Sequence, residues 1–212
     1  MKYKSASIAA ITLGLVCPPC PGQKAGDIFY APGKAAKPMP ALIILSCTGA
    51  TRADLDSFKP MADSLGWALA ACAKSRNHRD ARHNDHDIMA TYHKLVADHP
   101  VDEQRVFIYG FSGQGVQALM SVFLHPERFR GAVSICGHDG AMGLARPEDL
   151  AGKAFYLVTR GKDWNRKANL RMDAAFRRAQ VRDTQIITKG KHEPMGFREV
   201  FIGCKWMDEK AK

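Results

Sequence analysis

The chain has 212 residues, 46% hydrophobic and 25% charged, the make-up of one globular domain and too short for two well-filled ones. Its 31 Lys and Arg against 21 Asp and Glu give a formal net charge of +10, a bias that favours anionic partners. The basic residues are scattered, with no aromatic-interleaved stripe, so they read as a solvated basic surface and no nucleic-acid partner is expected.

The amino terminus has the anatomy of a secretory signal. Lys2 and Lys4 give a positive start, Ile8 to Val16 is apolar, and Pro18, Pro19 and Pro21 break any helix. The expectation is a signal peptide over about residues 1–22, cleaved near Gly22 to Ala25, and a secreted or periplasmic protein. The apolar stretch is too short to span a bilayer core of about 30 Å, so no stable membrane span is expected. A lipoprotein reading at Cys17 is weakened by the bulky Val16 before it. Cys17 and Cys20 form a C-x-x-C, but prolines surround it where a redox motif needs a helix start. Cys47, Cys72, Cys136 and Cys204 are compatible with up to two disulfides in an exported protein, or with small buried thiols.

Residues 23–40 read as an extended lead-in with an edge strand around Ile28 to Tyr30. Strand and helix then alternate. Ala41 to Leu45 is a fully apolar parallel strand, Asp54 to Leu65 a helix and Trp67 to Ala73 a strand. Lys74 to Asp87 is polar loop, followed by a helix over Ile88 to Ala97 with Asn84 or Asp85 as its N-cap. Strands are expected at Arg105 to Tyr109, Ala132 to Cys136, Phe155 to Thr159 and Thr184 to Thr188. Helices are expected at Val116 to Leu124, Leu170 to Ala179 and Pro194 to Met207, with a charged tail over 208–212. This order predicts a single α/β domain over 41–207, a doubly wound, mostly parallel sheet with helices on both faces.

Reactive groups in such a sheet belong at the carboxyl ends of the strands. There, Val106-Phe107-Ile108-Tyr109-Gly110-Phe111-Ser112-Gly113-Gln114-Gly115 runs from a buried strand through a glycine-flanked serine into a helix. A nucleophile elbow needs that arrangement: the turn strains the serine backbone, and small neighbours let strand and helix approach. The N–H groups at the helix start can face a developing negative charge. These residues resemble the α/β-hydrolase superfamily, with the closest likeness to small secreted esterases grouped with polyhydroxybutyrate depolymerases and feruloyl esterases. The resemblance runs from about Ala41 to Phe201. It departs from the usual G-x-S-x-G at Gln114, which stands where the second glycine belongs and is expected to strain the elbow or line the pocket.

The resemblance implies a Ser–His–Asp triad in the chain order nucleophile, acid, base. Ser112 is the expected nucleophile. His192, in Gly190-Lys191-His192-Glu193-Pro194 after the last strand, matches the base. Asp163, in Thr159-Arg160-Gly161-Lys162-Asp163, matches the acid, with Asp139 as its competitor. Gly113 supplies one oxyanion N–H, and Thr48 of Ser46-Cys47-Thr48-Gly49 matches the second donor, with Cys47 as the alternate; the family's His-Gly pair is missing there. No metal or organic cofactor is implied.

The run from Arg76 to Asp87 is dense in His and Asp, yet its spacings match no closed zinc pattern and no metal is expected. Because it leaves a strand's carboxyl end, Arg76 and Asn77 are expected to orient substrate, with Gln114 beside them. The short span from Cys136 to Phe155 leaves no room for a helical cap, which predicts an open site for a small or polymeric ester. The leading reading is ester hydrolysis through an acyl-enzyme. The alternatives are a serine peptidase, or a non-catalytic binding protein on a degenerate hydrolase scaffold.

Overall fold

In the computed structural model, residues 26–33, 38–194 and 196–210 are described; the expected signal segment, with Cys17 and Cys20, lies outside them. One sheet of seven strands organises the chain, in the order β1-β3-β2-β4-β5-β6-β7. Its strands are β1 (Ile28–Tyr30), β2 (Met39–Ile44), β3 (Ala68–Ala71), β4 (Val101–Phe111), β5 (Gly131–Ile135), β6 (Ala154–Arg160) and β7 (Arg182–Thr188). β1 runs antiparallel to β3 as an edge, and every other pairing is parallel.

The helices are α1 (Arg52–Leu65), α2 (Ala81–Asp98), α3 (Gly113–Leu124), α4 (Arg166–Arg178) and α5 (Phe197–Lys210). Side chains alternate across β2, and the core divides accordingly. Ala41, Ile43 and Leu45 face a cluster with Ile88 and Leu95 of α2, Leu119 of α3 and Phe176 of α4. Leu42 and Ile44 face the opposite cluster, with Leu55 of α1 and Val200 and Met207 of α5. The central strands are buried on both faces, which is why they read as continuous apolar runs. Each buried Leu or Ile contributes about 1.5–3 kcal/mol. No helix among the described residues is long and apolar enough to cross a membrane.

Several boundaries differ from the sequence reading. α2 begins at Ala81, so residues expected as loop are helical. Its N-cap is Asp80, whose carboxylate accepts the N–H groups of Arg82 and His83, rather than Asn84 or Asp85. Asn84 is instead engaged by the Arg76 backbone. α5 starts at Phe197, not Pro194, whose carbonyl accepts a hydrogen bond from Arg160. The expected charged tail is, as far as Lys210, the last turn of α5, and Asp208 pairs with Arg105. Cys47, Cys72, Cys136 and Cys204 are free thiols; burial suffices to place Cys72, Cys136 and Cys204 without a disulfide.

The segment between β5 and β6 holds two short 3-10 turns, Asp139–Leu144 and Pro147–Leu150, with Ala141 and Leu150 in the core. Its first turn packs against α3 and α4.

Candidate active site

β4 delivers Ser112 directly to the first residue of α3. Ser112 sits at φ 56° and ψ −125°, a conformation disfavoured for any residue with a Cβ. Its N–H donates to the Ile135 carbonyl at 2.8 Å, which ties the turn to β5. Strand and helix cross too closely for side chains. A Cβ on Gly110 would lie 2.0 Å from the Gln114 carbonyl oxygen, and one on Gly115 would lie 2.9 Å from Ser134 Oγ. The approach that the usual motif makes through its second glycine is therefore met here by Gly115.

Gln114 is among the residues that line the cavity beside Ser112, yet most of its side chain is turned inward. It is 1% exposed, its Oε1 accepts the Ser75 hydroxyl at 2.7 Å, and its Nε2 lies 3.4 Å from Asn77 Oδ1. The side chain fastens the elbow to the loop after β3, a role that sequence reading missed.

At the carboxyl end of β7 the chain turns back, and His192 Nε2 comes to 2.8 Å from Ser112 Oγ. Its Nδ1 lies 2.8 Å from Asp163 Oδ1, in the loop after β6. With Nδ1–H donating to the carboxylate, Nε2 is left as an acceptor for the serine hydroxyl proton. Burial alone would push the Asp163 carboxyl up. Hydrogen bonds from His192, the Asn165 N–H, the Thr159 hydroxyl and the Cys136 thiol outweigh it and hold the carboxyl below its usual range. Thr159 Oγ1 and the Asn165 N–H reach it at 2.8 and 3.0 Å. Asp139, the competing acid, is instead paired with Arg171 at 2.7 Å.

Two further contacts lay outside the sequence reading. Trp164, 74% exposed, stacks on His192 with ring centroids 3.7 Å apart and planes 18° from parallel. A large aromatic directly after the acid, in a polar loop, was the available signal. Cys136, at φ 49°, lies beside the acid; burial comes first among the causes that push its thiol up to about 12, and the neighbouring Asp163 adds to it. Cys136, Asp163 and His192 form the one group of metal-ligating side chains among the described residues, with ligand atoms within 4.8 Å of one another. The His- and Asp-rich run does not converge: Asp85 pairs with His125 and Asp87 with Arg79.

No known family profile matches the sequence, and no curated protein matches it. Solved structures do match its fold. S-formylglutathione hydrolase from Staphylococcus aureus superposes with a TM-score of 0.69 at 14% identity, over 85% of this chain and 91% of that one. A Bacillus cereus carboxylesterase gives 0.67 at 17% identity, over 87% and 93%. Est1E from Butyrivibrio proteoclasticus, also solved with ferulic acid bound, gives 0.64 at 12% identity, over 87% and 93%. The chain has the α/β-hydrolase fold.

Within this α/β-hydrolase fold, the Gly113 N–H stands at the start of α3, and the loop after β2 meets the elbow through Cys47. Cys47 of that loop touches the elbow, its Sγ 3.4 Å from the Phe111 carbonyl, while its own carbonyl accepts the Asn77 N–H at 2.9 Å. Thr48, one residue on, is exposed. A cavity of about 540 Å³ opens beside Ser112 and Gly113, bounded by Arg76 and Asn77, by Gln117 and Met120 of α3, and by His138 and Trp164. A second hollow of about 300 Å³, largely apolar, lies past Phe111, between Cys47, Phe58, Tyr109 and Pro194.

Proposed function

We propose that the protein is a serine hydrolase that cleaves carboxylic esters through an acyl-enzyme. The observation that carries the reading is the unbroken chain Asp163–His192–Ser112, with 2.8 Å at each step and the serine in a strained elbow. Ser112 Oγ attacks the ester carbonyl while its proton passes to His192 Nε2. Asp163 keeps the imidazole in the required tautomer and stabilises it when charged. As the C–O bond breaks, His192 gives that proton to the departing alcohol, and a water then repeats the sequence to free the acid and Ser112. The N–H of Gly113, with that of Thr48 or Cys47, holds the oxyanion. Dipeptidyl peptidases share the fold over only 33% of their own length, whereas S-formylglutathione hydrolase and the carboxylesterase match over 91% and 93% of theirs, which supports an ester substrate over a peptide bond. The intact hydrogen-bonded chain supports an enzyme over a binding module.

Ser112→Ala is expected to cut hydrolysis of 4-nitrophenyl butyrate by on the order of a millionfold in kcat, with melting temperature unchanged. A fluorophosphonate probe should label the wild type at Ser112 and leave the variant unlabelled. Substantial turnover by the folded variant would overturn the reading.

A further inference from the structure

The cavity beside Ser112 is lined by basic groups of one sign. Arg76, Arg79, His78 and His138 border it, and among its lining residues there is no aspartate or glutamate. The two arginines are not equivalent. Arg79 is occupied, its guanidinium bound to Asp87, to the Asn84 side chain and to the Lys74 carbonyl. Arg76 has its backbone clamped from beneath: Asn84, 3% exposed, accepts the Arg76 N–H at 3.1 Å and donates to its carbonyl at 2.9 Å. Its guanidinium has neither a carboxylate nor a hydrogen-bond partner among the described residues. Across the cavity, His138 Nδ1 accepts the Gly140 N–H at 3.0 Å, so the ring proton is carried on Nε2, as a donor.

An exposed arginine on a mobile loop is ordinarily a solvated charge. Here a buried amide fixes its backbone at the rim of a cavity that opens on Ser112. Guanidinium forks match carboxylates in shape and charge, and a wall without acidic groups leaves nothing to repel one.

We infer that this cavity selects esters whose non-reacting part carries a carboxylate, and that Arg76 is the residue that reads it. The inference rests on the esterase reading of Ser112. Arg76 binds the distal carboxylate, His138 donates from the opposite wall, and the ester carbonyl is left at Ser112 Oγ.

Two matched pairs of esters test it, one with the charge on the acyl side and one with it on the leaving alcohol. They are mono-4-nitrophenyl adipate against 4-nitrophenyl hexanoate, and 4-acetoxybenzoate against methyl 4-acetoxybenzoate. The wild type should favour the charged member of one pair in kcat/KM. Arg76→Gln should lower that charged-to-neutral ratio about tenfold, through KM, the size of one charge-assisted hydrogen bond. Half-molar salt should erode the wild-type ratio and leave that of the variant alone. Ratios unchanged by Arg76→Gln in both pairs would overturn the inference while leaving the esterase reading standing. If the wild type cleaves neither member of either pair, the esterase reading fails instead. Calorimetry of monomethyl adipate binding, wild type against Arg76→Gln, then decides the site on its own: binding that needs Arg76 supports it, and equal or absent binding overturns it.

Discussion

The two ends of the β6–β7 pair treat a carboxylate drawn out of water in opposite ways, Asp163 being buried and Asp183 half-buried. At the carboxyl end, Asp163 accepts from His192, Asn165 and Thr159, and its carboxyl stays below the usual range despite burial. At the amino end, the neighbour of Asp183, on β7, is another carboxylate, Asp173 of α4. Burial first, then the hydrogen bond and repulsion from Asp173, push Asp183 up to about 7, against a smaller opposing pull from Arg177. One of its carboxylate oxygens is buried without a hydrogen-bond partner. Burial alone therefore does not make a functional acid. Donors arranged around the charged form do.

The largest test of that contrast removes the charge where it is supported. Asp163→Asn should lower kcat on the order of ten-thousandfold with the fold retained, because the amide holds the imidazole in the wrong tautomer. Activity within tenfold of wild type would show that another group orients His192.

A smaller effect is expected from the indole beside that same imidazole. Trp164 lies flat on His192 from the solvent side, where it limits ring rotation and offers its face to the imidazolium. Trp164→Ala should reduce kcat several-fold, the worth of about 1 kcal/mol of cation–π contact, and Trp164→Phe should recover part of the loss. Equal loss in both variants would deny the aromatic face a role.

The smallest effect belongs to the unsupported end, and its sign is opposite to that of Asp163. Below pH about 4 both folded and unfolded chains hold the Asp183 proton. As pH rises to about 7 the unfolded chain releases it first, so the folded state loses stability through that window and keeps the deficit above it. Asp183→Asn should therefore raise the melting temperature above pH 7, with the gain shrinking to nothing near pH 4. Asp163 works the other way: its stabilising share is present above the unfolded value and is lost as pH falls through the folded one.

The fold and the three residues of the hydrogen-bonded chain were legible in the sequence for related reasons. Fully buried parallel strands write themselves as apolar runs, and the residues that close β4 and β6, Gly110 to Gly113 and Gly161 to Asp163, mark their carboxyl ends; Gly190 to His192 marks that of the half-covered β7. What was not legible depends on which loops meet. Asp80, Asn84 and Asp85 are all competent N-caps, and only the tertiary pairing of Asn84 with the Arg76 backbone leaves the task to Asp80. The bond that holds Gln114 was not legible because its partner, Ser75, arrives from another strand end. The Trp164 stack joins the ends of β6 and β7, two strands whose order in the sheet no local pattern states.

His192 hangs from β7, an edge strand whose residues are mostly only partly covered, while Ser112 is anchored at the end of the fully buried centre of β4. The sheet should therefore fray from one side before it melts as a whole. On warming, or in rising denaturant, ester hydrolysis should fade while the apolar interior is still intact. On refolding, it should return last, when β7 docks, so that turnover serves as a clock for closure of the final strand.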